Sequence, residues 1–136
     1  MYIQRQLEPV IKKSLFKGKI VIIYGARQVG KTTLVKKIAE EYGKPFGYLN
    51  CDELDILSQF QKANNSLALR QMMGDSKLVI IDEAQRVFNI GLKLKLLVDN
   101  YPKIQLLVTG SSSLDLSNEV SEPLTGRSDE FWLFPL

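Results

Sequence analysis

The residues best suited to chemistry form one short stretch, Gly25–Thr32 (GARQVGKT). Its two glycines let the backbone turn sharply and bring N–H groups against an anion without a Cβ in the way. Lys31 then supplies a cation for phosphate oxygens, and the Thr32 hydroxyl suits a hard metal ion. The stretch fits the pattern G-x-x-x-x-G-K-[ST], which is typical of loops that bind nucleotide phosphates.

The flanking segments favour a phosphate loop over an ordinary glycine turn. An apolar strand, KIVIIY, enters the stretch, and an amphipathic helix leaves it with its positive end toward the loop. For the side chains of Arg27, Gln28 and Val29, simple exposure on the loop and contact with the nucleotide stay open as alternatives. The predicted ATP-binding residues are Gly25, Ala26, Arg27, Gln28, Val29, Gly30, Lys31, Thr32 and Thr33.

A second candidate group is the acidic pair Asp82 and Glu83, which follows the apolar run Leu78–Ile81. Ligands of open α/β sheets bind beyond the carboxyl ends of the strands, where this pair is expected. We predict that Asp82 holds Mg²⁺ together with Thr32, and that Glu83 orients and deprotonates the attacking water. The alternative is a solvated acidic pair that begins a helix. The preceding phosphate loop favours the functional interpretation.

Polar residues at two later strand boundaries are further candidates. Ser111, or with less support Thr109, ends an apolar run where it could contact the γ-phosphate or the water, whereas Ser112 or Ser113 could equally be a helix N-cap. Arg127 precedes the last strand and is either a surface residue or an arginine that stabilises charge on a nucleotide, including a neighbour's.

Composition predicts one soluble domain. The chain has 136 residues, of which 45% are hydrophobic and 24% charged, enough for a single core. The net charge of +3 comes from scattered residues, which favours a solvated surface over a nucleic-acid face. One cysteine, no signal peptide and no apolar run of membrane-spanning length predict a cytoplasmic protein without a membrane partner.

Apolar runs and helical stripes alternate along the chain. Continuous apolar runs predict buried parallel strands, and stripes of period 3.6 predict helices that cover both faces of the sheet. The predicted strands are Lys19–Tyr24, Phe46–Asn50, Lys77–Ile81, Ile104–Thr109 and Glu130–Phe134. Helices are predicted over 5–17, from Leu34 to Tyr42, as two short pieces within Asp52–Met73 broken near Asn64, from Val87 to Tyr101, and more weakly over Ser112–Leu124.

These segments together resemble the AAA+ branch of the P-loop ATPases. The resemblance rests on GARQVGKTTL, LVIIDEAQRV, LLVTGSSS and LTGRSDEFWLFPL, and it extends from Tyr2 to Leu136. It implies a three-layer α/β sandwich whose parallel sheet of about five strands has the order 5-1-4-3-2. It also implies a sensor role for Ser111 or Thr109, an arginine-finger position for Arg127, and an adenine near Tyr2–Arg5.

The resemblance also shapes expectations for the whole protein. Residues 1–136 correspond to an ATPase core, with the P-loop domain at 18–136, while relatives continue into a helical lid and a further domain. Expected partners are ATP with Mg²⁺, a homo-oligomer, and a DNA or protein partner bound through a C-terminal region outside the core. The expected function is ATP hydrolysis coupled to conformational change; the alternatives are a nucleotide-dependent switch with little turnover and a P-loop kinase.

Overall fold

The computed structural model describes residues 2–26, 30–111 and 123–133, with side chains described from residue 6 onward. These residues form five helices and five strands. The helices are α1 (Tyr2–Ser14), α2 (Lys31–Glu41), α3 (Leu54–Lys62), α4 (Ser66–Met73) and α5 (Ile90–Asn100). The strands are β1 (Ile20–Gly25), β2 (Gly47–Asn50), β3 (Leu78–Asp82), β4 (Gln105–Gly110) and β5 (Ser128–Leu133), and a 3₁₀ turn covers Ala84–Arg86.

The five strands form one parallel sheet in the order β2-β3-β4-β1-β5. This order is the predicted 5-1-4-3-2 written from the other edge, so the predicted topology is confirmed. The register aligns Asn50 with Asp82 and Gly25 with Leu133. Both Gly25 and Asp82 therefore belong to strands that were predicted to end one residue earlier.

Helices cover both faces of the sheet, which makes a three-layer α/β sandwich as predicted. Alternate residues of β1 point to opposite faces. Val21 and Ile23 pack with α1 and α2, whereas Ile20, Ile22 and Tyr24 pack with the layer that contains α3, α4 and α5. Burial on both faces explains why the strand sequences are continuously apolar.

Helix boundaries differ from the prediction where the backbone takes a left-handed conformation. Helix α1 lies three residues closer to the N-terminus than the predicted segment 5–17, and the chain turns away at Phe16, whose φ is 58°. Helix α5 begins at Ile90 because Asn89 has φ 59°. The break near Asn64 is confirmed, since α3 ends at Lys62 and the Asn65 side chain caps α4 by accepting the Ala68 N–H at 2.8 Å. The helix predicted over Ser112–Leu124 lies almost wholly outside the described residues.

Candidate nucleotide-binding site

The candidate site lies at the carboxyl ends of three neighbouring strands. Strands β3, β4 and β1 are adjacent and parallel, so their carboxyl ends lie side by side. Gly25 ends β1, Asp82 ends β3 and Gly110 ends β4. The fold thus brings the two ends of the predicted phosphate loop, the acidic pair and the polar end of β4 together, at the position where α/β sheets bind ligands.

The phosphate loop leads directly into α2. Gly30, which immediately precedes the helix, has φ 86°, a left-handed conformation that a residue without a Cβ adopts at little cost. Its carbonyl accepts the Leu34 N–H at 3.0 Å, which closes the first turn of α2. Thr33 is exposed on that first turn, and Arg27, Gln28 and Val29 lie outside the described residues. The positive end of α2 therefore lies where the predicted phosphate loop joins the helix.

The Lys31 side chain is buried instead of extending into solvent. Its side chain is 2% exposed, and Nζ donates to the carbonyl oxygens of Gly25 at 2.7 Å and Ala26 at 3.1 Å. An ammonium group held by loop carbonyls has replaced part of its hydration shell with neutral acceptors. Phosphate oxygens at this position would give the same cation anionic partners.

The Asp82 carboxylate accepts hydrogen bonds from three hydroxyl groups. Thr32 donates to Oδ2 at 2.9 Å and Tyr48 donates to the same oxygen at 2.6 Å, while Thr109 donates to Oδ1. These contacts join α2, β2 and β4 to the end of β3. The carboxylate is 2% exposed and is therefore fixed in place by protein groups.

Glu83 occupies a strained and largely buried position. Its φ and ψ are 57° and 47°, a left-handed conformation that costs about 1–2 kcal/mol for a residue with a Cβ. The Glu83 N–H donates to Thr109 Oγ1 at 3.0 Å, and the residue is 8% exposed. The alternative of a solvated pair that begins a helix does not describe this pair, because both acids are buried and a 3₁₀ turn follows them.

The two predicted sensor residues make different contacts. The buried Thr109 hydroxyl donates to Asp82 and accepts from the Glu83 N–H, so it holds both acids. The Ser111 backbone N–H donates to the Gln85 side-chain oxygen at 3.2 Å. The structure therefore places the hydroxyl of Thr109, which had less support from sequence, directly against the acidic pair.

Arg127 lies at the opposite end of the strands, beside their amino ends. Its carbonyl accepts the Ile20 N–H at 2.9 Å at the start of β1, five residues before Gly25. At about 3.3 Å per residue, this places the Arg127 backbone about 17 Å along the strand from the phosphate loop. Its Nε donates to Asp99 Oδ1 at 2.8 Å, and the Asp99 carboxylate raises the pKa of the arginine above its ordinary value.

Two residues of the candidate site, Tyr48 and Gln85, were not predicted from the sequence. Tyr48 reaches Asp82 because β2 pairs with β3, a register that one sequence does not display. Burial, followed by the Asp82 carboxylate, raises the Tyr48 pKa, so its hydroxyl stays protonated and remains a donor. Gln85 donates through Nε2 to Glu83 Oε1 at 2.8 Å. The sequence signal that could have indicated this contact is the position of Gln85, two residues after Glu83.

The oxygen groups at the end of β3 fit magnesium. Thr32 Oγ1 and Asp82 Oδ2 lie 2.9 Å apart, and both are hard oxygen ligands of the kind that Mg²⁺ prefers. Mg²⁺ is usually held by one or two such protein groups together with substrate phosphates. The donor set and the adjacent phosphate loop therefore suit a magnesium–nucleotide complex.

Comparison with protein families identifies the class of this domain. Residues 17–136 match the family described as AAA domain, so the chain belongs to the AAA family. Its fold is that of the P-loop ATPases, and its family supports a nucleotide-binding, ATPase-like function.

Relatives with similar sequences are longer proteins. An uncharacterized protein of Mycobacterium tuberculosis is 34% identical over 118 residues, which cover 86% of this chain and 25% of that protein. An uncharacterized protein of Methanocaldococcus jannaschii is 30% identical over 128 residues, covering 93% and 29%. The chain thus spans about a quarter of the length of these relatives.

Two solved structures share the fold. The Pif1 helicase of Candida albicans superposes with a TM-score of 0.64 at 15% identity, over 100% of this chain and 40% of that one. The T158V variant of RuvB from Thermotoga maritima superposes with a TM-score of 0.58 at 19% identity, over 97% and 42%. Within the described part of the chain, no helix has the length and apolar character needed to cross a membrane.

Proposed function

We propose that this chain binds Mg²⁺·ATP and hydrolyses it, and that turnover drives a conformational change. The observation that carries the proposal is the convergence of Lys31, Thr32, Asp82, Glu83 and Thr109 at the carboxyl ends of three adjacent strands. A cation, two metal-ligand oxygens and a buried carboxylate are the groups that phosphoryl transfer to water requires.

Binding would begin at the loop and the start of α2. Backbone N–H groups and the positive helix end attract the phosphates, and the Lys31 ammonium exchanges the Gly25 and Ala26 carbonyls for phosphate oxygens. Thr32 and Asp82 would hold Mg²⁺, which neutralises charge on the phosphate oxygens when bound. Tyr48 and Thr109 keep the Asp82 carboxylate in place throughout.

Glu83 supplies the base for the chemical step. Its carboxylate orients a water and accepts a proton as the water oxygen bonds to the γ-phosphorus. The bond from that phosphorus to the bridging oxygen breaks, and ADP and inorganic phosphate are released. The strained Glu83 backbone and its hydrogen bond to Thr109 fix where the base stands, which favours a reacting geometry before the nucleotide arrives.

The test compares Lys31→Ala and Glu83→Gln with the wild type by thermal shift and single-turnover phosphate release. Lys31→Ala should lose more than tenfold in ATP affinity, because a charge-assisted contact contributes about 1.5–3 kcal/mol. Glu83→Gln should keep the stabilisation by Mg²⁺·ATP and lose about 10²–10⁴-fold in hydrolysis, because an amide cannot accept the proton. Lys37→Ala, which changes an exposed lysine of the same helix, should match the wild type in both measurements.

Three results would overturn parts of the proposal. Equal ATP stabilisation of wild type and Lys31→Ala would remove the phosphate-loop assignment. Stabilisation of the wild type without phosphate release would indicate a nucleotide-dependent switch. Transfer of the γ-phosphate to an added acceptor instead of water would indicate a kinase.

A further inference from the structure

Gln85 connects the proposed catalytic base to the end of a different strand. Its Nε2 donates to Glu83 Oε1 at 2.8 Å, and its Oε1 accepts the Ser111 backbone N–H at 3.2 Å. Glu83 follows β3 and Ser111 follows β4. One side chain thus bridges the two strand ends that border the candidate site.

The chemistry of the two partners requires a side chain that both donates and accepts, and a primary amide does so. A carboxylate oxygen only accepts hydrogen bonds, so the NH₂ group must face Glu83. A backbone N–H only donates, so the amide oxygen must face Ser111. A carboxylate in place of the amide would repel Glu83, and an apolar side chain of the same length would form a hydrogen bond to neither group.

The local backbone explains how Gln85 reaches Glu83. The left-handed conformation of Glu83 and the 3₁₀ turn Ala84–Arg86 reverse the chain within a few residues. The Arg86 N–H donates to the Glu83 carbonyl at 3.2 Å, which closes this turn and places Gln85 beside the Glu83 side chain. The strain at Glu83 is therefore associated with a specific arrangement of its carboxylate.

Glu83 is also attached to β4 through its backbone. Thr109 accepts the Glu83 N–H, while Gln85 connects the carboxylate to Ser111, two residues further along the same strand end. The backbone of Glu83 is thus hydrogen-bonded to Thr109, and its side chain is linked to Ser111 through Gln85. A displacement at Ser111 would be transmitted to the carboxylate through a single amide.

We propose that Gln85 is a positioning residue for ATP hydrolysis, which fixes the Glu83 carboxylate relative to Ser111 at the end of β4. With Oε1 held by the amide, Oε2 is the oxygen that accepts the proton of the attacking water. This inference rests on the proposed function, since it concerns the base of that reaction. It adds a residue that acts through Glu83 without contacting the nucleotide.

The test replaces Gln85 with methionine, which keeps the length of the side chain and removes both hydrogen bonds. Gln85→Met should lower kcat by about 10–100-fold, the usual effect of a misplaced catalytic group. Its Kd for Mg²⁺·ATP and its Tm should stay close to those of the wild type, because the hydrogen bonds of Gln85 go to Glu83 and to the Ser111 backbone and not to Lys31 or Thr32. Gln71→Met, the same change at an exposed position of α4, should leave kcat unchanged.

A double-mutant cycle separates positioning from a general structural effect. If Gln85 acts through Glu83, adding Gln85→Met to Glu83→Gln should change the residual rate by less than about twofold. A further drop as large as that in the wild-type background would overturn the proposal. So would a wild-type kcat in Gln85→Met, or a parallel loss of kcat, ATP affinity and Tm.

A failure of the proposed hydrolysis can be told apart from a failure of the proposed role of Gln85. Absence of phosphate release by the wild-type chain would reject hydrolysis itself. Wild-type turnover together with full activity of Gln85→Met would reject only the role of Gln85.

Discussion

At the scale of single residues, the site is organised around the Asp82 carboxylate. Three hydroxyl donors from three different elements converge on its two oxygens. Thr32 belongs to the phosphate-loop motif, whereas Tyr48 comes from β2 and has no place in that motif. A carboxylate that binds a metal usually depends on such neighbouring donors for its orientation. Tyr48 is therefore expected to influence metal binding.

Tyr48→Phe tests this influence by removing one hydroxyl and keeping the ring. The variant should need about tenfold more Mg²⁺ for half-maximal hydrolysis at saturating ATP, because Asp82 loses one of the donors that orient it. Tyr42→Phe, the same change at a tyrosine that stacks on Phe16 near the α1–α2 contact, should titrate as the wild type does. Superimposable Mg²⁺ titrations of Tyr48→Phe and wild type would show that the Tyr48 hydroxyl has no part in metal binding.

The contrast between Thr32 and Tyr48 shows what the sequence could predict about the site. Lys31 and Thr32 occupy fixed places in a contiguous pattern, so their positions relative to the loop follow from local chain geometry. Tyr48 meets Asp82 across 34 positions of sequence, through the pairing of β2 with β3. Periodicity identifies strands but does not give the register between them. Thr109 and Ser111 differ for the same reason, since their contacts depend on how β4 aligns with β3.

At the scale of elements, the helices are held by contacts that hydrophobic patterns do not show. The strands and most helices could be predicted because their apolar residues face the two sides of one sheet. The buried position of Lys93 in α5 could not be predicted, because a lysine in an amphipathic helix is normally assigned to the solvent face. Its side chain is 8% exposed, and Nζ donates to the carbonyls of Phe60 at 2.8 Å and Ala63 at 2.7 Å. Lys93 thus binds the negative end of α3.

Lys93→Met should lower the free energy of unfolding by about 2 kcal/mol. The methionine fills a similar volume but leaves two buried carbonyls without this donor, and each loss typically costs about 1–3 kcal/mol. Relief of the buried charge offsets part of that cost, since burial lowers the pKa of Lys93. Urea denaturation measures the change. Lys62→Met, at the exposed last residue of α3, should cost less than 1 kcal/mol; equal midpoints for the two variants would contradict the role of Lys93.

At the scale of the whole molecule, the carboxyl and amino ends of the parallel strands have different roles. The predicted phosphate loop, the acidic pair and the polar end of β4 lie at the carboxyl ends of the strands, whereas Arg127 lies at the amino ends, beside the start of β1. The 17 Å that separate Arg127 from the loop, estimated from the rise of a strand, exceed the reach of an arginine side chain. Arg127 therefore has no access to the proposed nucleotide site of its own chain. Its predicted role as an arginine finger requires the site of a neighbouring copy.

The contact between Arg127 and Asp99 leaves that role available. Both side chains are more than one third exposed, and ion pairs at such positions contribute little to stability. An arginine supplied by a neighbour can accelerate related phosphoryl transfers by about 10³–10⁵-fold. We therefore expect Arg127→Ala to abolish hydrolysis in oligomers of the protein while each subunit keeps its affinity for ATP.

Mixing variants tests whether Arg127 acts between subunits. An excess of Glu83→Gln subunits, which carry an intact Arg127, should restore hydrolysis to Arg127→Ala subunits, because the added arginines reach sites whose Glu83 is intact. The double variant Glu83→Gln/Arg127→Ala brings no arginine and should restore nothing under the same conditions. Light scattering or cross-linking establishes that mixed oligomers form. If such oligomers stay as inactive as their separate components, Arg127 does not serve a neighbouring site. Because the proposed nucleotide site of its own chain is out of reach, Arg127 would then have no part in catalysis.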